Sequence, residues 1–406
     1  MKTVLIISPD FPPGNFAGVM RPRFLASHLA KFGWQPIVLT VEASQYEGTN
    51  DEQTLSLLPP GLRVERVGAW PAKICRPLGF GDISLRAQSA LRRRVAEIMA
   101  REKVDLIFCT VLPGYTMLVG AWAKQKFNLP FVLDYQDPWV SGWGAGQPRF
   151  SRAGMAHWLA TRLEPPAVSQ ADALTAVSDE TLDTLRQRHL IRPRMPVKII
   201  PIGMDENDHA TAARLGRGLI SNPDFFNLVY VGTVTERILP ALKTFFAAVR
   251  QVLPNHSGRA LHVHLIGTSA QPDGGDKHGI MRLAQDLGLG SLVHLQARRV
   301  PYLDALRTMQ DASLLLLPGS TDSHYTASKI FPYWLTNKPV LGLFHEASSI
   351  VPLARELGGV ELVTYGDADG PQSRVQDVTA ALQQMLARGT AGVQLNQGPE
   401  TRMVTW

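Results

Sequence analysis

Residues 326–343 read TASKIFPYWLTNKPVLGL, and this stretch decides the fold. Ser328-Lys329 opens a short helical run, Asn337-Lys338-Pro339 ends it, and residues 340–343 (VLGL) follow as an unbroken apolar segment. An apolar run of that length, bounded by turn residues, is a strand buried on both faces, as in a parallel sheet. A helix start carries free N–H groups that favour an anion, and Lys329 adds a full positive charge there. Two readings follow: a diphosphate site in front of a buried strand, or an ordinary surface helix.

The same strand-and-helix unit recurs in both directions from it. Toward the N-terminus the second half offers strands at 228–231, 262–266, 292–295 and 313–317, and toward the C-terminus at 360–363. The first half offers strands at 3–8, 36–40, 106–110, 131–134, 173–177 and 197–200, with helical spacing over 23–32 stopped by Gly33. Continuous apolar strands alternating with helices indicate parallel sheets covered on both faces. The pattern breaks around 202–223, where polar and Gly-rich residues intervene. The expected organisation is a first Rossmann-like domain over 1–205, a second over 206–387, and an irregular tail, 388–406, packed back on the first through Trp406. A chain of 406 residues exceeds one core of ordinary size, which agrees with two domains.

Hydrophobic residues make up 45% of the chain and charged residues 19%, the balance of a globular protein. The N-terminal run reads as a first strand, not as a leader peptide. Cys75 and Cys109 have no metal-ligand spacing and imply neither a disulfide framework nor an oxidising compartment, so a cytoplasmic location is expected. The net charge of +6 suits phosphate-rich ligands or an anionic membrane. No zinc-finger or RNP-type motif is present, which argues against nucleic acid.

Ligands of open parallel sheets sit at the carboxyl ends of the strands. Residues 9–18 (PDFPPGNFAG), after the first strand, combine glycines with a following helix that carries Arg21 and Arg23. They form either a ligand loop or a Pro-rich connection. Asp137-Pro138-Trp139 follows a buried strand. Asp137 would bind acceptor hydroxyls or take a proton, or else cap the next turn; Trp139 would stack on a sugar face. Gly232-Thr233 ends another strand, and Arg237 beyond it would fork onto two phosphate oxygens or lie free on the surface. Arg237 and Lys329 together would clamp a diphosphate.

On the stretches FPPGNFAGVMRPRFLASHLAKFGWQPIVLT, LDYQDPW, LEPPAVSQADALTAVSDET and IIPIGMD, then LVYVGTVTER, HLIG, DASLLLLPG and ASKIFPYWLTNKPVLGL, the chain resembles family 4 of the GT-B glycosyltransferases. These are retaining, nucleotide-sugar-dependent enzymes, and the likeness is to the branch that builds bacterial surface polysaccharides. The resemblance implies two Rossmann-like domains facing across a cleft. It implies a nucleotide-diphosphate sugar as co-substrate and no metal or other cofactor. It places Gly18 beside the donor diphosphate, Gly232, Thr233, Arg237, Ser328 and Lys329 on the donor, Arg299 and Val300 at the nucleobase, and Asp137 near the acceptor hydroxyl. The acceptor would be a carbohydrate or a lipid-linked intermediate. Family members usually carry two glutamates eight positions apart, and here those positions hold His324 and Pro332. A ribose hydroxyl deprived of its carboxylate would weaken donor binding by about 1.5–3 kcal/mol. A nucleotide-sugar epimerase of the same architecture and a non-catalytic partner of another transferase are the competing expectations.

Residues 84–103, with Arg92-Arg93-Arg94, and 150–163, with Met155, Trp158 and Arg162, are basic and helical in period. Each reads either as a helix lying on anionic lipid or as a core-facing helix with a solvated basic face.

Overall fold

The strands of the first half are β1 (Lys2–Ile7), β2 (Trp34–Val41), β3 (Arg63–Val67), β4 (Leu106–Thr110), β5 (Phe131–Tyr135), β6 (Ala173–Ala176) and β7 (Val197–Ile199). In the computed structural model, which describes residues 1–269, 271, 274–322, 327–389 and 405–406, they form one parallel sheet in the order β3-β2-β1-β4-β5-β6-β7. The second half contributes β8 (Phe226–Val231), β9 (Leu261–Ile266), β10 (Val293–Gln296), β11 (Leu314–Pro318), β12 (Val340–His345) and β13 (Val360–Tyr365). Their order is β10-β9-β8-β11-β12-β13, again parallel throughout. The fold is therefore α/β with two Rossmann-like domains, as expected.

The chain divides into compact units Met1–Ile202 and Gly203–Trp406. Each has its own core. In the first, Leu5, Leu39, Ile107 and Leu133 of the sheet pack with Leu91, Val95 and Ile98 of helix Gln88–Arg101 and with Ala167 and Val168 of helix Arg152–Gln170. Val4, Ile6, Phe11 and Phe108 form a second cluster with Ala26 of helix Met20–His28. In the second unit, Leu228, Val263 and Leu314 pack with Phe245 and Phe246 of helix Leu239–Val252 and with Leu382 of helix Val375–Arg388. None of the described helices is long and apolar enough to cross a membrane.

β3 (RVERV) was not expected. It is an edge strand whose residues are mostly half-buried, and its charges are paired: Arg63 with Glu65 and Glu102, and Glu65 with Arg94 at 2.6 Å. Charged residues are what an edge strand tolerates, and they hide it from an apolar-run search. Residues 390–404 lie outside the described ones, and Thr405 bridges Met204, whose carbonyl accepts the Trp406 N–H at 3.0 Å. That pairing belongs to the second unit.

Both sheets reverse strand order beside their first strand, between β1 and β4 and between β8 and β11. Loops leaving the two strands at such a point part to opposite sides and open a crevice.

Candidate active site

In the second domain the crevice beside β8 is built by Gly232. Its φ of 152° is a conformation that side chains rarely adopt, and a Cβ there would overlap the Lys329 side chain, 2.6 Å from Nζ. Glycine is thus what lets Lys329, from the loop after β11, lie across the end of β8. Tyr333 fixes the approach: its hydroxyl accepts the Val231 N–H at 3.0 Å. The helix carrying Tyr333 is Ile330–Trp334, only five residues, with Lys329 at its N-cap. A single turn has little dipole, so the cation in this crevice is the ammonium and not the helix start.

Lys329 is half-buried, and its ammonium has no hydrogen-bond or ion-pair partner among the described residues. Burial, followed by the charge of Arg299, lowers its pKa to about 8. Burial likewise lowers that of Arg299, which follows β10. Two cations brought together in a partly dry crevice form a site for an anion. The charge Lys329 senses is that of Arg299 rather than of Arg237. Arg237 is 65% exposed and is held by the Asp322 carboxylate. Its carbonyl accepts the Thr321 N–H at 2.9 Å, joining the loops after β8 and β11.

Thr233, Glu236 and Arg237 line a cavity of about 480 Å³ with Ser269, Asp276 and Lys277. The Thr233 carbonyl accepts from the Tyr230 hydroxyl at 2.8 Å. Ser328 and Val300 are both half-buried. His324 lies outside the described residues. Pro332 stands half-buried in the five-residue helix and offers no carboxylate.

In the first domain the crevice beside β1 holds Gly18, which is buried. A Cβ there would lie 2.8 Å from Leu112 at the end of β4, and its carbonyl accepts from Gln136 Nε2 at 3.1 Å. Arg21 and Arg23 are not ligand-facing; both are fully buried. Arg21 Nε donates to Asp134 at 2.7 Å, and Thr175 Oγ1 donates to the same carboxylate at 2.5 Å. The Arg21 guanidinium also reaches the carbonyl of Pro201 at 3.2 Å, so helix Met20–His28 is tied to the ends of β5, β6 and β7. Arg23 lies 4.4 Å from the Phe24 ring centroid.

Asp137 projects from the end of β5 with no side-chain hydrogen bond among the described residues, so it does not cap the following turn. Surrounding protein raises its pKa. Trp139 is a packed residue. Its ring covers Gly114 and meets Tyr115 edge-on at 4.9 Å. Asp10, after β1, was not singled out; burial, then the nearby Asp82 and Glu47 charges, raise its pKa to about 7.

Residues 20–203 match the family model of the glycosyl transferase 4-like domain. Over that span the first domain is similar to the glycosyl transferase 4-like domain. No curated protein matches the chain significantly. Among solved structures, Anabaena HepE in complex with UDP and glucose superposes with a TM-score of 0.61 at 17% identity, over 95% of this chain and 92% of that one. Sucrose-phosphate synthase from Thermosynechococcus elongatus gives 0.58 at 17%, over 95% and 90%. A trehalose-6-phosphate protein of E. coli bound with UDP-2-fluoro glucose gives 0.60 at 13%, over 95% and 91%. These likenesses show the fold, which is GT-B.

The first domain thus brings Gly18, Asp137 and Trp139 to one rim of its sheet, because all three follow the carboxyl ends of parallel strands. In the second domain Gly232 and Lys329 meet directly, with Arg299 close enough to depress the ammonium. Asp322, and Asp276 and Lys277 of the cavity lining, were missed; the signal for the latter two was the run of glycines at 267, 274, 275 and 279 in the sequence after β9.

Proposed function

We propose that this chain is a retaining glycosyltransferase that moves a sugar from a nucleotide-diphosphate donor to a hydroxyl acceptor. The observation that carries the reading is the Lys329 ammonium, laid across Gly232 beside Arg299 at the strand-order reversal of the second sheet, without a carboxylate among the described residues. A diphosphate supplies the missing negative charge. As the sugar–phosphate bond breaks, charge accumulates on the leaving diphosphate, and fixed cations stabilise it there without reorganising. Lys329 and Arg299 do this without a metal. Ser328 and Thr233 would hold the phosphates, Val300 the base, and Arg237 would turn from Asp322 to the donor. Asp137 would receive the acceptor hydroxyl, with Trp139 bounding that subsite. Retention would follow from positioning of the acceptor on the leaving-group face.

UDP is the first nucleotide to try, because the HepE structure holds it; that likeness is one of fold. The acceptor is read as a carbohydrate or lipid-linked intermediate of polysaccharide assembly, used on the cytoplasmic side of an anionic membrane. The test is a thermal-shift screen of UDP, GDP, ADP and their sugars on wild type and Lys329→Ala, followed by turnover with the stabilising donor. A nucleoside diphosphate should stabilise wild type and lose at least about tenfold in affinity with Lys329→Ala. Absence of any nucleotide response would sink the reading. Pro332, which lacks the carboxylate expected at its position, favours a second reading, a nucleotide-binding partner without turnover. Binding with no transfer or hydrolysis of any donor would favour that one.

A further inference from the structure

The segment between Asp137 and Glu164 contains no acidic residue and carries Arg149, Arg152 and Arg162. Four of its large apolar side chains are turned outward: Trp143 is 69% exposed, Phe150 90%, Met155 47% and Trp158 49%. Helix Arg152–Gln170 buries Ala160, Glu164 and Ala167, and the opposite face presents Met155, Trp158 and Arg162 at helical spacing. The Arg162 guanidinium lies 5.6 Å from the Trp158 ring centroid.

These side chains ride on one packed unit. Gly144 of the turn Gly142–Ala145 fits against His157, where a Cβ would stand 2.6 Å from Nδ1. Gly154 fits as tightly against the backbone of Pro148 and Arg149. Ser141 and Ser151 cap the two helix starts. The exposed aromatics are therefore held out by defined packing.

A second outward apolar group lies on the same rim. Trp70, Ile74, Leu78 and Phe80, each more than half exposed, follow β3 with Lys73 among them; Arg76 there is paired with Glu47 at 2.9 Å. Because the sheet is parallel, the loops after β3 and β5 leave from the same edge, the edge that carries Gly18 and Asp137.

We infer that this rim of the first domain docks on an anionic lipid bilayer, with Trp143, Phe150, Met155 and Trp158 seated at the headgroup level and Arg149, Arg152 and Arg162 facing lipid phosphates. The inference rests on the proposed function for its purpose, delivery of a lipid-linked acceptor to Asp137. Its evidence is separate. Aromatic rings and basic side chains without acidic neighbours match the amphipathic, negatively charged boundary of such a bilayer. The other basic helix, Gln88–Arg101, does not match. It buries Leu91, Val95 and Ile98, Arg93 and Arg94 pair with Glu97, and Arg94 also pairs with Glu65. Its Arg92 lies over the Trp122 ring.

Full-length protein should co-sediment with mixed phosphatidylcholine–phosphatidylglycerol vesicles, weakly with phosphatidylcholine alone, and less as salt rises. Phe150→Ser/Trp158→Ser should lower partitioning at least about tenfold. Arg149→Glu/Arg162→Glu should lower it about fivefold or more per arginine. Arg93→Ala/Arg94→Ala should bind as wild type. Both rim variants change exposed residues, and a melting curve and circular dichroism spectrum like those of wild type certify their fold. A folded rim variant that sediments as wild type overturns the inference. So does equal binding to neutral vesicles. Failure of wild type to sediment, with Phe150→Ser/Trp158→Ser turning a dimer into a monomer, would assign the rim to a second copy of the chain. Vesicle binding without any nucleotide response would leave this inference standing and remove only the transferase reading.

Discussion

Lys329 and Asp10 are the two side chains whose surroundings bear most directly on function and stability. The Lys329 ammonium, with its pKa near 8, is charged in neutral solution and loses its proton as pH rises past that value. Affinity for a nucleoside diphosphate should therefore fall as pH climbs through 8 to 9, a trend absent from Lys329→Ala. Calorimetric titration across that range measures it, and a pH-independent wild type would refute the role. Asp10 carries the opposite perturbation. Its pKa is about 7 in the folded chain and near 3.8 in an unfolded one, so between those values the folded state holds the extra proton. Stability then falls as pH rises from about 4 to 7 and the deficit persists above 7. Asp10→Asn should remove it, raising the melting temperature at pH 8 by about 2–4 °C per kcal/mol relieved and leaving it unchanged near pH 4. A wild-type melting temperature at pH 8 in the variant would show that Asp10 ionises without cost.

At the scale of elements, the loops that leave β8 and β11 behave as one device. Gly232→Ala forces a side chain into a strained φ and onto Lys329, which should cost about 1–3 kcal/mol of stability and displace the ammonium. Adding Lys329→Ala should recover part of the stability and none of the nucleotide affinity, a non-additivity that a double-mutant cycle reads directly. Independent effects would mean the two residues do not share a site. The strands on either side were legible in the sequence because apolar runs such as LVYV and SLLLL can only be buried, and so was the presence of Gly232 and Lys329 at their ends. β3 was not, since RVERV pairs its charges at an edge. Nor was the proximity of Arg299 to Lys329, because a strand order of β10-β9-β8-β11 is a property of the assembled sheet. Asp322 and the burial of Arg21 were hidden for the same reason: each partner lies far off in sequence, 85 residues for Arg237–Asp322 and 113 for Arg21–Asp134.

For the whole molecule, two cores that share no cluster mean that ligand binding and unfolding need not be one transition. The cations read as holding the donor, Lys329 and Arg299, belong to Gly203–Trp406, while Asp137 and the exposed aromatics belong to Met1–Ile202. A nucleotide that binds the native second domain stabilises it by mass action, and any effect on the first must come through linkage. Hydrogen exchange on the full chain with saturating UDP, or whichever nucleotide the screen selects, should slow the backbone amides of 231–237 and those flanking Lys329 and Arg299. Amides of β1 to β7 should stay as they were. Anionic vesicles should do the converse, slowing exchange over 142–162 with little change near Gly232. Each ligand thus has its own footprint in its own domain. A nucleotide that protects only the first domain would transfer the donor site away from Lys329, and with it the assignment of the second sheet's crevice as the phosphate site.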